Sequence, residues 1–183
     1  MGDLKRVGMT FRSVFMKEDG SHFKGNLLKP SMSQTRNTAF FNARRILKVD
    51  ENQDVNTGDV FRLDNGKWGL CFDNAEGYYE DMIYRTYGVI VLNKEFPWKR
   101  RITEIDPVTQ LSKTVGYEEL GLLKCAFEFV SYENDSLKIP QPKYRLLCGA
   151  DIRPMDVLDN NGTLITVQNV EGVMGVKLAY VRD

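Results

Sequence analysis

Only one histidine, His22, occurs in 183 residues, and it stands in an irregular stretch. A histidine-dependent nucleophilic triad would need it, yet no Gly-x-Ser-x-Gly elbow or Cys-Gly-x-Cys box supplies a partner. The expected place for His22 is therefore the solvent-exposed surface. Zinc is equally poorly served, since the chain has no Cys-x-x-Cys and no His-x-x-x-His pair. A Walker A loop and a Gly-x-Gly-x-x-Gly fingerprint are also missing. The acidic run Asp73, Glu76, Glu80, Asp81 fails as a calcium loop, because Ala75 and Gly77 fall where oxygen ligands belong. It reads as a solvated loop tip. No carboxylate pair is singled out for hydrolysis, and a small metal-dependent hydrolase survives only as a third class. The expectation is a protein that is not an enzyme, with no catalytic residue, no metal ligand and no cofactor assigned.

Charge of one sign is also lacking. Lysine plus arginine and aspartate plus glutamate each number 25. Proteins that hold nucleic acid through phosphates usually carry a basic excess, so a globally neutral chain lowers that class without removing it. No apolar run approaches the ~20 residues of a membrane helix, and none near the N-terminus suits a signal peptide. Gly2 is followed by Arg6, where a myristoylation motif wants Ser or Thr. No membrane partner is expected. Cys71, Cys125 and Cys148 are odd in number and lie in or beside apolar runs, which reads as buried, reduced thiols.

What is present is β structure. No stretch sustains a 3.6-residue period over three turns. Residues 1–42 are irregular, with turn-like pieces at 17–20 and 29–35, and read as a flexible N-terminal arm. From residue 43 apolar runs alternate with turn residues, giving a β-rich domain over 43–183. Val60–Leu63 and Trp68–Phe72 flank Asp64-Asn65-Gly66, a hairpin signal in which both central residues would take positive φ. Strands are expected over Met82–Leu92, after which Pro97 ends the run or confines its sequel to an edge. Others are expected through Ile102 and Ile105 before a turn at Asp106-Pro107, over Lys124–Tyr132 and over Tyr144–Cys148. Tyr117–Leu123 could form a helical turn or two. A last hairpin turns at Asn160-Asn161-Gly162, and a strand through Val176, Leu178 and Tyr180 follows.

Two segments echo each other. Val55-Asn56-Thr57-Gly58-Asp59-Val60 leads to Asn65-Gly66, and Ile152-Arg153-Pro154-Met155-Asp156-Val157 leads to Asn161-Gly162. Recurrent Asn-Gly turn chemistry is one explanation. The other is two related β units, 43–98 and 143–183, joined by a connecting segment 99–142 and either packed together or closed into barrels. The fold class expected is mostly β, with one or two small OB-like or SH3-like barrels.

The Asp-Val, short strand, glycine turn and apolar strand reading into Val167-Gln168-Asn169-Val170 resemble the barrel core of bacteriophage head–tail joining proteins of the head-closure and adaptor type. Residues 154–170 carry the resemblance, with 57–74 beside them. It implies a virion structural protein that forms a ring, as a cyclic homo-oligomer, at the head–tail junction or neck, assembled in the host cytoplasm. Its implied partners are portal or tail components, with packaged DNA near its loops. A role elsewhere in the tail or baseplate is the neighbouring alternative.

One surface feature stands out, Lys94-Glu95-Phe96-Pro97-Trp98-Lys99-Arg100-Arg101. Phe96, Trp98, Lys99, Arg100 and Arg101 form a candidate interface, because aromatics and arginines beside one another make protein hot spots. The same residues could stack bases and meet phosphates, which is the basis of the rival reading, a single-stranded nucleic-acid-binding β-barrel. A third reading folds Phe96 and Trp98 inward among solvated charges. A second basic cluster is Arg36, Arg44, Arg45 and Lys48. The 94–118 segment and the N-terminal arm are the expected subunit contacts.

Overall fold

A computed structural model describes residues 13–29, 44–79, 82–129 and 144–182. All regular structure among them is β. Twelve strands fall into two compact units that divide between Ile90 and Val91.

The first unit contains β1 (Ser13–Met16), β2 (His22–Leu28), β3 (Arg44–Asp50), β4 (Val60–Arg62), β5 (Trp68–Tyr79) and β6 (Met82–Val91). They form one sheet in the order β1-β2-β3-β6-β5-β4. An antiparallel bridge from Lys17 to Phe61, with the Glu18 amide donating to the Val60 carbonyl at 2.9 Å, joins the two outer strands and curls the sheet into a barrel. Alternation supplies the core: on β2, Phe23 and Gly25 turn inward between exposed His22 and Lys24. Phe15, Phe23 and Phe61 meet there with ring centroids 5.3 Å apart in each pair.

The second unit contains β7 (Lys94–Ile105), β8 (Ser112–Phe129), β9 (Tyr144–Cys148), β10 (Val157–Asn160), β11 (Thr163–Val173) and β12 (Val176–Arg182). They close as β10-β11-β12-β9-β8-β7, with β10 pairing back onto β7. Phe96, Leu123, Leu146, Leu158, Ile165 and Val181 fill the interior.

Read from its first strand, the second order is β7-β8-β9-β12-β11-β10, which repeats that of the first unit strand for strand. The repeat extends to single hydrogen bonds. The Gly58 amide donates to the Cys71 carbonyl and the Cys71 amide to the Asp59 carbonyl, at 2.8 and 2.9 Å. Met155, Val167 and Asp156 make the same pair of bonds at the same distances. The echo noted in the sequence is thus the loop and hairpin around β4 in one barrel and around β10 in the other.

Several expectations change. The stretch 13–29 of the presumed arm holds β1 and β2, while 1–12 and 30–43 lie outside the described residues. Within the segment read as a connector, 99–142, residues 99–129 supply most of β7 and all of β8 in the second barrel, and 130–142 lie outside the described residues. Tyr117–Leu123 is strand, not helix, because it pairs with β7, taking up its extra residues as bulges at Val115 and at Leu120 before Gly121. Pro97 sits inside β7 rather than ending it. It faces outward opposite Leu122, and β10 reaches β7 only at Trp98 and Lys99, so no β10 pairing among the described residues needs its missing N–H. At the first Asn-Gly corner only Gly66 takes positive φ, and the Leu63 amide donates to Lys67 across the loop at 2.8 Å. The second has both Asn161 and Gly162 positive, in a two-residue connection that matches the strand twist.

Candidate interaction site

In the first barrel the chain reverses tightly after β1, with the Lys17 amide donating to the Ser21 carbonyl at 2.8 Å. Trp98 and Gly121 occupy the corresponding rungs of the second barrel, and there the chain does not turn. Lys99–Leu120 runs on as a two-stranded arm, its strands paired from Lys99 opposite Glu119 to Ile105 opposite Ser112. Beyond Lys99, β10 no longer pairs with β7, and β9 meets β8 only from Ala126 onward. Both long edges of the arm are therefore open among the described residues. Ile102, Ile105, Val108, Leu111, Val115 and Tyr117 are exposed on it, Val108 to 89%. A two-stranded ribbon is marginally stable alone, and an open edge with apolar side chains is a template for another chain.

The five residues proposed from sequence separate at the base of this arm. Phe96 is fully buried in the core, edge-on to Phe127 at 5.0 Å, so it is not available as a surface anchor. Trp98 packs half-buried against the same core, and its indole Nε1 donates to Asp156 Oδ2 at 3.0 Å. Arg100 donates from Nε to Asp156 Oδ1 at 3.1 Å, from Nη2 to Oδ2 at 3.2 Å and from Nη2 to the Asp151 carbonyl at 2.6 Å. The Arg153 amide adds a bond to Asp156 Oδ2 at 3.0 Å. Asp156, 1% exposed, thus pins β7 to the loop before β10. Its hydrogen bond to Arg100 outweighs desolvation and raises the guanidinium's pKa further. Lys99 pairs instead with Glu119 across the arm at 2.8 Å. Arg101 lines a cleft, and its Nε, buried, finds no acceptor among the described residues.

Sequence reasoning missed Asp156 as the organising group. The available signal was the Asp-Val that opens both echoed hairpins. In the first barrel the corresponding Asp59 accepts the Asn56 amide at 2.9 Å and pairs with Lys17 at 2.8 Å. Desolvation lowers the Lys17 pKa, but the bond and charge of Asp59, helped by Asp54 and Asp19, leave it raised overall.

The other candidates lie apart. His22 is exposed on β2. Arg44, Arg45 and Lys48 lie on β3, with Lys48 4.7 Å from the Tyr84 ring centroid, while Arg36, Glu80 and Asp81 lie outside the described residues. The three cysteines are buried and unpaired in disulfides. Burial pushes the Cys148 thiol up to about 12 and raises Cys71 and Cys125 further, which makes them inert as nucleophiles. Among the described residues no three His, Cys, Asp or Glu side chains gather to hold a metal, and no helix is long and apolar enough to cross a membrane. No protein family, curated protein or solved structure matches this chain.

Proposed function

We propose that this is a virion structural protein that assembles into a ring at a phage head–tail junction, with the Lys99–Leu120 arm as its intersubunit contact. The observation that carries the reading is this arm, whose open edges and exposed apolar side chains are set on an otherwise closed barrel. Its occupant is a second copy of the chain. The arm carries both signs of charge, Arg100, Arg101 and Lys113 against Glu104, Glu118 and Glu119, so copies can meet without like-charge repulsion. Strand addition along an open edge would supply backbone hydrogen bonds, and burial of Ile105, Val108 and Leu111 would supply the apolar area. The virion and junction come from the resemblance of residues 154–170 and 57–74 to head-closure and adaptor proteins, which also implies portal or tail proteins as further partners.

The first barrel provides the design of the test. Replacing Ile102–Gly116 with Glu-Asp-Gly, the sequence that turns the chain at 18–20, should remove the exposed arm while keeping Arg100 on Asp156 and the barrel closed. Light scattering is expected to show a large, defined oligomer for the intact protein and a monomer for the armless one. A monomeric intact chain at all concentrations refutes the assembly role, and an unchanged oligomer without the arm refutes the arm as its contact. Electron microscopy of the oligomer with a portal protein tests the junction itself, and failure to dock there moves the protein elsewhere in the particle.

A further inference from the structure

A cleft of about 510 Å³ opens in the second barrel where the arm leaves it, lined by Arg100, Arg101, Arg153, Asp156, Thr103, Ser112 and Thr114 among others. In a chain with no net charge, three guanidinium groups meet here with one carboxylate. That carboxylate is already satisfied. Asp156 accepts from Trp98, twice from Arg100 and from the Arg153 amide, so Arg100 and Asp156 neutralise each other. The Arg101 and Arg153 guanidinium groups take no part in that pair.

Arg153 reaches Asp151 from Nε at 2.9 Å and from Nη2 at 2.5 Å, but this pair is exposed and screened by water. Arg101 is the more telling group, because a buried donor without an acceptor costs stability unless something else satisfies it. One guanidinium without an ion pair, a second held only in an exposed pair, and three hydroxyl-bearing side chains around one space suit a tetrahedral anion with several acceptor oxygens. A single carboxylate would use only part of that set.

We propose that this cleft binds a phosphate-bearing ligand, with Arg101 and Arg153 as the charged donors and Thr103, Ser112 and Thr114 completing the shell. Trp98 is not a base-stacking platform in this arrangement, since its ring is half-buried and its nitrogen is held by Asp156. The site reads the oxyanion and not the base. It stands independently of the ring assembly.

Free phosphate and a phosphodiester backbone share this chemistry, and calorimetric titration of the full chain separates them. Pyrophosphate and a thymidine oligonucleotide are titrated in turn at constant ionic strength. Saturable binding of either supports the site: pyrophosphate alone indicates a free phosphate ligand, and tighter binding of the oligonucleotide indicates a backbone. Arg101→Gln and Arg153→Gln should each weaken binding about tenfold or more. Lys113→Gln, beside the cleft but not lining it, should leave it unchanged. Arg153→Gln alters an exposed side chain and retains the fold, so it decides the matter if Arg101→Gln proves unstable. Binding of neither probe, equal binding by both arginine variants, or preference for a polyglutamate peptide overturns the proposal. Light scattering on the same samples keeps the two readings distinct, because affinity lost at unchanged mass concerns the cleft alone.

Discussion

The two barrels share a strand order and differ in what fills them and in where their first hairpin ends. The first packs Phe15, Phe23 and Phe61 into a triangle. By strand register the same positions in the second are Phe96, Leu123 and Leu158, and its aromatic contacts run instead through Phe127 to Tyr144, at 5.0 Å each. One hydrogen-bonded frame therefore accepts different core side chains, as expected when apolar pattern matters more than particular residues. The hairpin contrast teaches something else. The frame tolerates a long extension at the β1–β2 turn position because that turn lies outside the closed ladder, so growth there leaves the core undisturbed.

The largest effects should come from breaking the cores. Phe61→Ala removes one vertex of the triangle, fully buried, and should cost about 3–5 kcal/mol. Leu158→Ala at the matching position should cost about 2–5 kcal/mol, toward the lower end if neighbouring aliphatic side chains collapse into the space. Urea denaturation checks both. If the two unfolding transitions separate, each substitution should move only its own.

A sharper contrast lies in the paired aspartates. Asp156→Ala strands Arg100, the Trp98 indole and the Arg153 amide, and should cost about 3 kcal/mol. Asp59→Ala strands Lys17, but Asp54 stays 3.7 Å away to compensate, so a loss of about 1–2 kcal/mol is expected. Equal losses in the two variants would show that the more complete network of the second barrel adds nothing.

These carboxylates also mark how far the sequence could be read. Mostly-β character was legible from apolar alternation and glycine corners, and the echo correctly aligned the loops before β4 and β10. Units drawn at 43–98 and 143–183 contain β3–β6 and β9–β12, equivalent parts of the two repeats, but the first runs on into Lys94–Trp98 of β7, which belongs to the second barrel. What escaped was the opening hairpin of each. Ser13–Leu28 is short and interrupted by a charged turn, whereas Lys94–Phe129 is long and bulged, so the two share no visible spacing. The candidate interface was drawn around a real feature, the base of the arm. Its aromatic residues belong to the core and to Asp156, a division that depends on a partner 58 residues away and leaves no local trace.

Gly88→Ala tests a close contact in the first barrel. A Cβ there would lie 2.4 Å from Phe72 Cζ and 2.6 Å from Cε1, so the ring must shift. An overpacking cost of about 1–3 kcal/mol is expected by denaturation, with tryptophan fluorescence near β5 reporting the displacement.

The smallest effect compares the two first-hairpin turns. Asp19 accepts from the Ser21 amide at 2.8 Å and hydroxyl at 2.6 Å, and the hydroxyl bond is the main reason its pKa is lowered. Asp106, at the tip of the arm, is lowered chiefly by the Thr109 and Val108 amides, at 3.0 and 2.8 Å. A carboxylate with a depressed folded pKa stabilises its turn above its unfolded pKa, and that contribution fades as pH falls through the folded value. Both turns should therefore loosen only in acid, at a pH below the ordinary carboxylate range. Carboxyl carbon shifts followed by NMR should show Ser21→Ala moving Asp19 back toward that range, while Thr109→Ala moves Asp106 much less because backbone donors survive. A full return of Asp106 in Thr109→Ala would mean that the arm tip is ordered by side chains rather than by its main-chain turn.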